Sequence, residues 1–168
     1  MIVVDTNVLA FLYLPGEYTA VAEALLERDP DWAAPVLWRS EFRNILAGYL
    51  RRGSLTFRQA HSLQCEAEDL LAGAEYEVDS LDVLEFVRDS DCSAYDCEFV
   101  APAMKLDAKL ATMDGKDMAL NNFPICSTWG GRAAALFVVA ITRYGASSRL
   151  ASHPAARVQI GNLFSAIS

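Results

Sequence analysis

No apolar run in this chain is long enough to span a bilayer, and no basic segment followed by an apolar core opens it. The longest strongly apolar run, Ala133 to Ile141, is well short of the roughly 20 residues that a membrane helix needs. We therefore expect a soluble, cytoplasmic protein with no membrane partner. The 168 residues, of which 53% are hydrophobic, suit one folded domain with its own core.

Metal-binding cysteine motifs and an excess of basic charge are missing as well. The four cysteines form no C-x-x-C pair and no spacing typical of a zinc site. Fourteen basic residues against 22 acidic ones give a net charge of -8, the opposite of what bulk electrostatic binding of nucleic acid requires. Any contact with nucleic acid must therefore be local. All the acids lie in residues 1 to 122, whereas residues 123 to 168 contain four arginines and no acid.

The order of predicted elements is typical of an α/β fold. Amphipathic helices alternate with short apolar strands, which are predicted at residues 1–4, 32–35, 76–78, 109–113 and 125–127. This succession favours a central parallel sheet of four to five strands that is flanked by helices. Sites in such sheets lie beyond the carboxyl ends of the strands, where Asp5 and Asp114 would both be found.

Four acidic residues stand where an acid is unusual: at the end of a strand, beside an apolar helix stripe, at a helix start and after a strand. In that order they are Asp5, Glu41, Asp96 and Asp114. Asp5 could instead cap a helix, and Glu41 could pair with a buried arginine. Asp96 could serve a capping box, and Asp114 could be a turn residue, with Asp117 as a competitor for its role. Carboxylates held close together repel unless a cation lies among them, so a fold that gathers all four predicts a cation pocket.

The segments around these acids resemble the motifs of PIN-domain ribonucleases. In the family's order, the matching segments are Val4–Leu9, Ser40–Glu41, Ser93–Ala101 and Leu110–Asp114. The resemblance covers roughly residues 1 to 126 and is strongest to the VapC-type toxins of bacterial toxin–antitoxin pairs. It implies a three-layer sandwich around a parallel sheet, with an acidic site that binds Mg²⁺ or Mn²⁺ and cleaves RNA.

Carried over by position, the resemblance assigns catalysis and metal binding to the four acids. It gives Asn7 and Thr112 a supporting role in ordering the site. Arg39 and Arg43 flank Glu41 and are candidate contacts for RNA phosphates. The resemblance also implies a cognate antitoxin that inserts a segment, often arginine-bearing, into the active site, and we expect a homodimer.

The chain departs from the family pattern at two places. Pro102 falls inside a predicted helix, where a proline costs about 3 kcal/mol. We assign residues 1–127 to a nuclease domain and residues 128–168 to an atypical extension, which we expect to be poorly ordered after about Ser148. The extension, with its apolar stretch from Ala133 to Ile141, is either an added interaction helix or a segment that was not selected, such as the product of a shifted reading frame.

Three other functions remain open beside the metal-dependent endoribonuclease toxin. The chain could be a PIN nuclease of RNA processing or a 5′-nuclease-like DNA enzyme. It could also be a catalytically degenerate PIN-like protein that binds a partner. A phosphoacceptor receiver is disfavoured, because its acidic pair and its phosphorylated aspartate follow a different order of strands.

Overall fold

Strands and helices alternate through most of the chain. The computed structural model describes residues 1–90 and 92–112, together with the backbone of residues 138–140. The elements in these residues are β1 (Ile2–Val4), α1 (Thr6–Tyr13), α2 (Thr19–Arg28), β2 (Trp32–Pro35), α3 (Trp38–Arg51), α4 (Phe57–Leu70), β3 (Glu75–Tyr76), α5 (Ser80–Arg88), α6 (Ala94–Lys105), β4 (Lys109–Thr112) and β5 (Val138–Ala140).

The strands form one parallel sheet in the order β3-β2-β1-β4-β5. All residues of β1 and β2 are buried. Because successive side chains of a strand point to opposite faces, both faces of the sheet must be covered by helices. This arrangement confirms the predicted α/β fold with a central parallel sheet.

The register of the two central strands sets the position of the site. Val4 lies opposite Ala111, and the Asp5 amide continues the ladder by donating to the Ala111 carbonyl at 2.8 Å. Both strands therefore end at the same edge of the sheet. Asp5 and Thr112 are the next residues there, one at the end of each strand.

The core fixes the helices that reach this edge. Trp38 and Phe42 on α3 are fully buried, as is Leu9 on α1. They belong to the same core cluster as Val100 of α6 and Leu110 of β4. Burying a side chain of this size stabilises the fold by about 1.5–3 kcal/mol, so the first turns of these helices are held firmly against the sheet.

The predictions for the C-terminal part of the chain fall partly or wholly outside the described residues. The strand predicted at residues 125–127 lies outside them, as does the expected poor order after Ser148. Within the apolar stretch, Val138–Ala140 forms strand β5, which pairs with β4 in parallel. A helix, one of the two alternatives for the extension, is therefore wrong for these three residues. The boundary at residue 127 stays a prediction.

Helix α6 accommodates its proline. It runs from Ala94 to Lys105, and the Leu106 amide at its end donates to the Pro102 carbonyl at 2.9 Å. Pro102 itself is buried. The packing of its ring therefore offsets part of the cost of the backbone hydrogen bond that it cannot make to the Glu98 carbonyl.

In the part of the chain that the structure describes, no helix has both the length and the apolar character needed to cross a bilayer.

Replacement of Pro102 by alanine should raise the free energy of unfolding by about 1 kcal/mol. The gain in helix propensity is about 3 kcal/mol, whereas the lost ring carbons remove about 0.8 kcal/mol each plus a small cavity term. Urea unfolding measures the difference, provided that the free energy of unfolding falls with urea concentration at the same slope in both proteins. A lower free energy of unfolding in Pro102→Ala would show that the ring's packing outweighs the helix term.

Candidate active site

The Asp5 carboxylate does not cap the helix that follows it. Asp5 occupies the N-cap position of α1, but its side chain makes no capping hydrogen bond. Its Oδ2 instead accepts a hydrogen bond from Thr112 Oγ1 at 2.7 Å and a long one from Asn7 Nδ2 at 3.5 Å. The cap alternative is therefore wrong, and the half-buried carboxylate is held at the sheet edge by residues from β4 and α1.

Glu41 lies in the first turn of α3 and is half-buried. Its Oε2 accepts a hydrogen bond from Thr6 Oγ1 at 2.5 Å. Among the ion pairs of the described residues none involves Glu41, so the alternative of a salt bridge to a buried arginine is not realised there.

Neighbouring negative charges act on Glu41. Burial raises the pKa of its carboxyl group, and the charges of Asp5, Asp96 and Glu98 raise that pKa further. The Thr6 hydroxyl acts in the opposite direction, since it stabilises the ionised form. The fold thus brings three of the four predicted acids within electrostatic reach of one another.

Two buried hydroxyls orient these acids. Thr6 and Thr112, each only 2% exposed, are the buried polar side chains of the described residues. Each donates to one predicted acid, Thr6 to Glu41 and Thr112 to Asp5. A buried hydroxyl without a partner is costly, so each pair fixes both of its members. Thr6 was not among the predicted supporting residues, although its place beside Asp5 in the motif was a signal that could have found it.

Asp96 caps α6 through one oxygen. The predicted capping box is present: Ser93 Oγ accepts from the Asp96 amide, and Asp96 Oδ2 accepts from the Ser93 amide at 3.2 Å and hydroxyl at 2.7 Å. Within the described residues, all the hydrogen bonds of this carboxylate fall on Oδ2. The exposed Asp96 can therefore serve the helix with one oxygen and a cation with Oδ1.

Glu98 is a fifth acid that sequence reasoning missed. It is half-buried on α6, two residues after Asp96, and its charge contributes to the raised pKa of Glu41. No helical or strand periodicity marks it, because its proximity to Glu41 depends on where the tertiary fold places α6 and α3.

The other predicted residues fall into two groups. Asp114 and its competitor Asp117 lie outside the described residues. Arg39 binds two carboxylates, those of Glu68 and Glu75, and so has other partners than a nucleic acid. Arg43 is exposed, and its guanidinium donates to the Arg39 carbonyl at 2.8 Å and to the Ser40 hydroxyl at 3.1 Å.

The charges of Asp5 and Asp96 reach Glu41, but the carboxylates of the described residues do not form a complete metal-binding site. In residues 1–90 and 92–112, no three Asp, Glu, His or Cys side chains come together as a group that could hold a metal ion. The donor chemistry nevertheless fits a hard cation, which prefers oxygen ligands, and Mg²⁺ is typically held by one or two carboxylates with several waters. A bound cation would favour the ionised form of Glu41, which burial and the neighbouring charges disfavour.

Replacement of Glu41 by glutamine should stabilise the fold at neutral pH. A carboxyl whose pKa is raised by folding binds protons more tightly in the native state, so stability is lost as the pH rises from its ordinary pKa of 4.5 through the raised one. Glutamine keeps an acceptor for Thr6 without the charge. We expect a higher melting temperature for Glu41→Gln at pH 7 and no difference below about pH 4.5.

The exposed Glu23 on α2 provides the matched control. Glu23→Gln should leave the melting temperature nearly unchanged at either pH. A lower melting temperature for Glu41→Gln at pH 7 would contradict the electrostatic description of the site.

Comparison with known proteins supports the fold. FitAcB from Neisseria gonorrhoeae is 20% identical, with a TM-score of 0.55, and the match covers 67% of this chain and 86% of that one. FitAB bound to an IR36 DNA fragment is 21% identical, with a TM-score of 0.53 and coverage of 68% and 85%. A search of curated proteins gives no significant match.

Identities this low bear on the fold alone, but the sequence also matches a family model. The model of the PIN domain matches residues 2–120, which is more than half of the chain and includes every acid placed above. The chain therefore belongs to the PIN-domain family.

Proposed function

We propose that this protein is a metal-dependent endoribonuclease toxin of the VapC type that a cognate antitoxin neutralises. The observation that carries the proposal is that Asp5 and Asp96 lie near enough to Glu41, at the carboxyl edge of the sheet, for their charges to act on its carboxyl group. Such a repulsive group is costly to the fold and is explained by a cation-dependent function. Asp114 joins these three as the fourth proposed catalytic acid.

Mg²⁺ or Mn²⁺ is the proposed cofactor, with Asp5, Glu41, Asp96 and Asp114 as its protein ligands. When bound, such an ion lowers the pKa of a water molecule and stabilises charge on a phosphate in an in-line displacement. Asp5 and Glu41 are suited to this role because Thr112 and Thr6 hold one oxygen of each carboxylate. Asn7 supports Asp5 more weakly, at 3.5 Å.

RNA is the proposed substrate, and its phosphates require local positive charge on an acidic protein. Arg43 is the better placed of the two candidate arginines, since it is exposed and its own contacts are to a carbonyl and a hydroxyl. To contact a phosphate, Arg39 would have to break its ion pairs with Glu68 and Glu75. We therefore propose Arg43 as a phosphate contact and give Arg39 a different role below.

The antitoxin is proposed to approach the same edge. The net charge of -8 and the carboxylates of the site suit a basic or arginine-bearing segment. The DNA-bound FitAB shows that a protein of similar fold occurs in a complex with nucleic acid. A homodimer remains part of the proposal.

Replacement of Asp5 or Asp96 by asparagine should abolish Mn²⁺-dependent cleavage of RNA. We expect a loss of more than about a hundredfold in each, because even the hydrogen-bonding partners of metal ligands are worth about 10- to 100-fold. Asp69→Asn on the exposed surface of α4 is the matched control and should keep full activity. Cleavage of total RNA, single-stranded RNA and DNA by the full chain, with and without Mn²⁺, measures the effect.

The outcomes separate the alternatives. Equal and metal-independent cleavage by wild type, Asp5→Asn and Asp96→Asn would rule out the carboxylate mechanism. Cleavage of DNA in preference to RNA would favour a 5′-nuclease-like enzyme. A folded wild-type protein that cleaves neither would favour the degenerate, partner-binding alternative.

Removal of the Thr112 hydroxyl should weaken catalysis without removing a ligand. Thr112→Val keeps the shape of the buried side chain but leaves Asp5 Oδ2 without its 2.7 Å donor. We expect about a tenfold lower rate at limiting Mn²⁺. Thr112→Ser retains the hydroxyl and should stay close to wild type, and equal rates for the valine and serine variants would refute an orienting role for the hydroxyl.

A further inference from the structure

A single guanidinium ties three elements together beside the site. Arg39 Nε donates to Glu75 Oε1 at 2.6 Å, and Nη2 donates to Glu75 Oε2 at 2.7 Å. Its third nitrogen, Nη1, lies 2.7 Å from Glu68 Oε2. Arg39 thus joins α3 to β3 through a two-pronged contact and to α4 through a second carboxylate.

Trp38 strengthens the same contact. Its indole Nε1 donates to Glu75 Oε1 at 2.6 Å, and its side chain is completely buried. The Arg39 guanidinium also lies 5.7 Å from the centre of the Trp38 ring, within the range of a cation–π interaction. We call Trp38, Arg39, Glu68 and Glu75 the α3 clamp.

The α3 clamp adds side-chain hydrogen bonds and ion pairs to a first turn that the burial of Trp38 and Phe42 already holds against the sheet. Leu37 occupies the N-cap position of α3 and offers no side-chain hydrogen bond. Trp38 and Arg39 are the first two helical residues, and Glu41 follows in the same turn. The clamp therefore fixes the turn that carries one of the proposed metal ligands.

Opposite charges hold the α3 clamp together. The hydrogen bond from Arg39 holds the pKa of Glu75 below its usual range. The pKa of Glu68 is lowered as well, first by a hydrogen bond from Gln64 and then by Arg39. Both carboxylates are therefore ionised at neutral pH, and a planar guanidinium binds them with a geometry that lysine does not reproduce.

We infer that Arg39 and Glu75 are positioning residues for Glu41, which they hold at the cation site by fixing the first turn of α3. This inference rests on the proposed function, because it assigns Glu41 to that site. Glu41 is otherwise repelled by Asp5 and Asp96 and would move away from them if its turn were loose. The Thr6 hydroxyl holds the tip of the side chain, and the clamp holds the backbone from which it extends.

The substitution that tests the inference is Arg39→Lys in the full chain. Lysine keeps the positive charge, but it cannot bind both oxygens of Glu75 and one oxygen of Glu68 at the same time. We expect about tenfold weaker binding of Mn²⁺, measured by electron paramagnetic resonance of the free ion, with the fold still intact at the assay temperature. Glu75→Gln, which keeps an acceptor for Trp38, should weaken binding in the same direction.

Arg88 offers a matched control. It also makes a two-pronged contact, to Asp89 at 2.7 Å through both nitrogens, but on the exposed end of α5. Arg88→Lys should leave the Mn²⁺ affinity unchanged. Weakening by Arg88→Lys to the same extent would overturn the inference, since the effect would then not be specific to the clamp.

A double-mutant cycle distinguishes positioning from general stability. In a Glu41→Gln background, Arg39→Lys should weaken Mn²⁺ binding no further, because the ligand that it positions is already gone. An equal loss in both backgrounds would mean that Arg39 acts on the fold and not through Glu41, and it would overturn the inference.

The same samples keep this inference separate from the proposed function. Unchanged Mn²⁺ affinity in Arg39→Lys and Glu75→Gln, with a wild type that cleaves RNA, would overturn the inference alone. A wild type that binds Mn²⁺ in a clamp-dependent way but cleaves no RNA would contradict the proposed function alone. A wild type that binds no Mn²⁺ would overturn both.

Discussion

Repulsion among carboxylates at one edge of the sheet is the constraint on which the site depends. Asp5 follows β1, Glu41 lies on α3 and Asp96 lies on α6, and a stable fold has no electrostatic reason to bring these three carboxylates together. Part of the cost appears in the pKa of Glu41, which burial raises most and which the charges of Asp5, Asp96 and Glu98 raise further. A buried core of β1, α1, α3 and α6 supplies the stability that tolerates this cost.

The surrounding polar groups act against this repulsion. Thr112 and Thr6 donate to Asp5 and Glu41 from positions that are almost completely buried, so these contacts do not exchange readily with water. The α3 clamp holds the first helical turn, from which the Glu41 side chain extends. The site is thus built from an outer set of hydrogen bonds and ion pairs that orients an inner set of charges, which is the usual organisation around bound cations.

The sequence predicted those parts of the site that depend on local pattern. An apolar strand directly before Asp5 and a capping box around Asp96 are both visible within a few residues, and the structure contains both. The role of Arg39 was not predictable in this way, because its partner Glu75 lies 36 residues away and only the packing of β3 beside β2 brings them together. Glu98 was not predicted either, because its proximity to Glu41 also depends on the tertiary fold. Strand β5 was missed because its apolar residues suit a helix equally well until β4 offers them a partner.

The central claim is that Asp5, Glu41 and Asp96 share one divalent cation. Anomalous diffraction from crystals of the full chain grown with Mn²⁺ tests it most directly, because the signal locates the ion without any assumption about activity. The account predicts a manganese peak at the carboxyl edge of the sheet, beyond β1 and β4, with oxygens of Asp5 and Asp96 coordinated directly and Glu41 either coordinated or one water away. A manganese peak elsewhere, or none at this edge under saturating Mn²⁺, would contradict it.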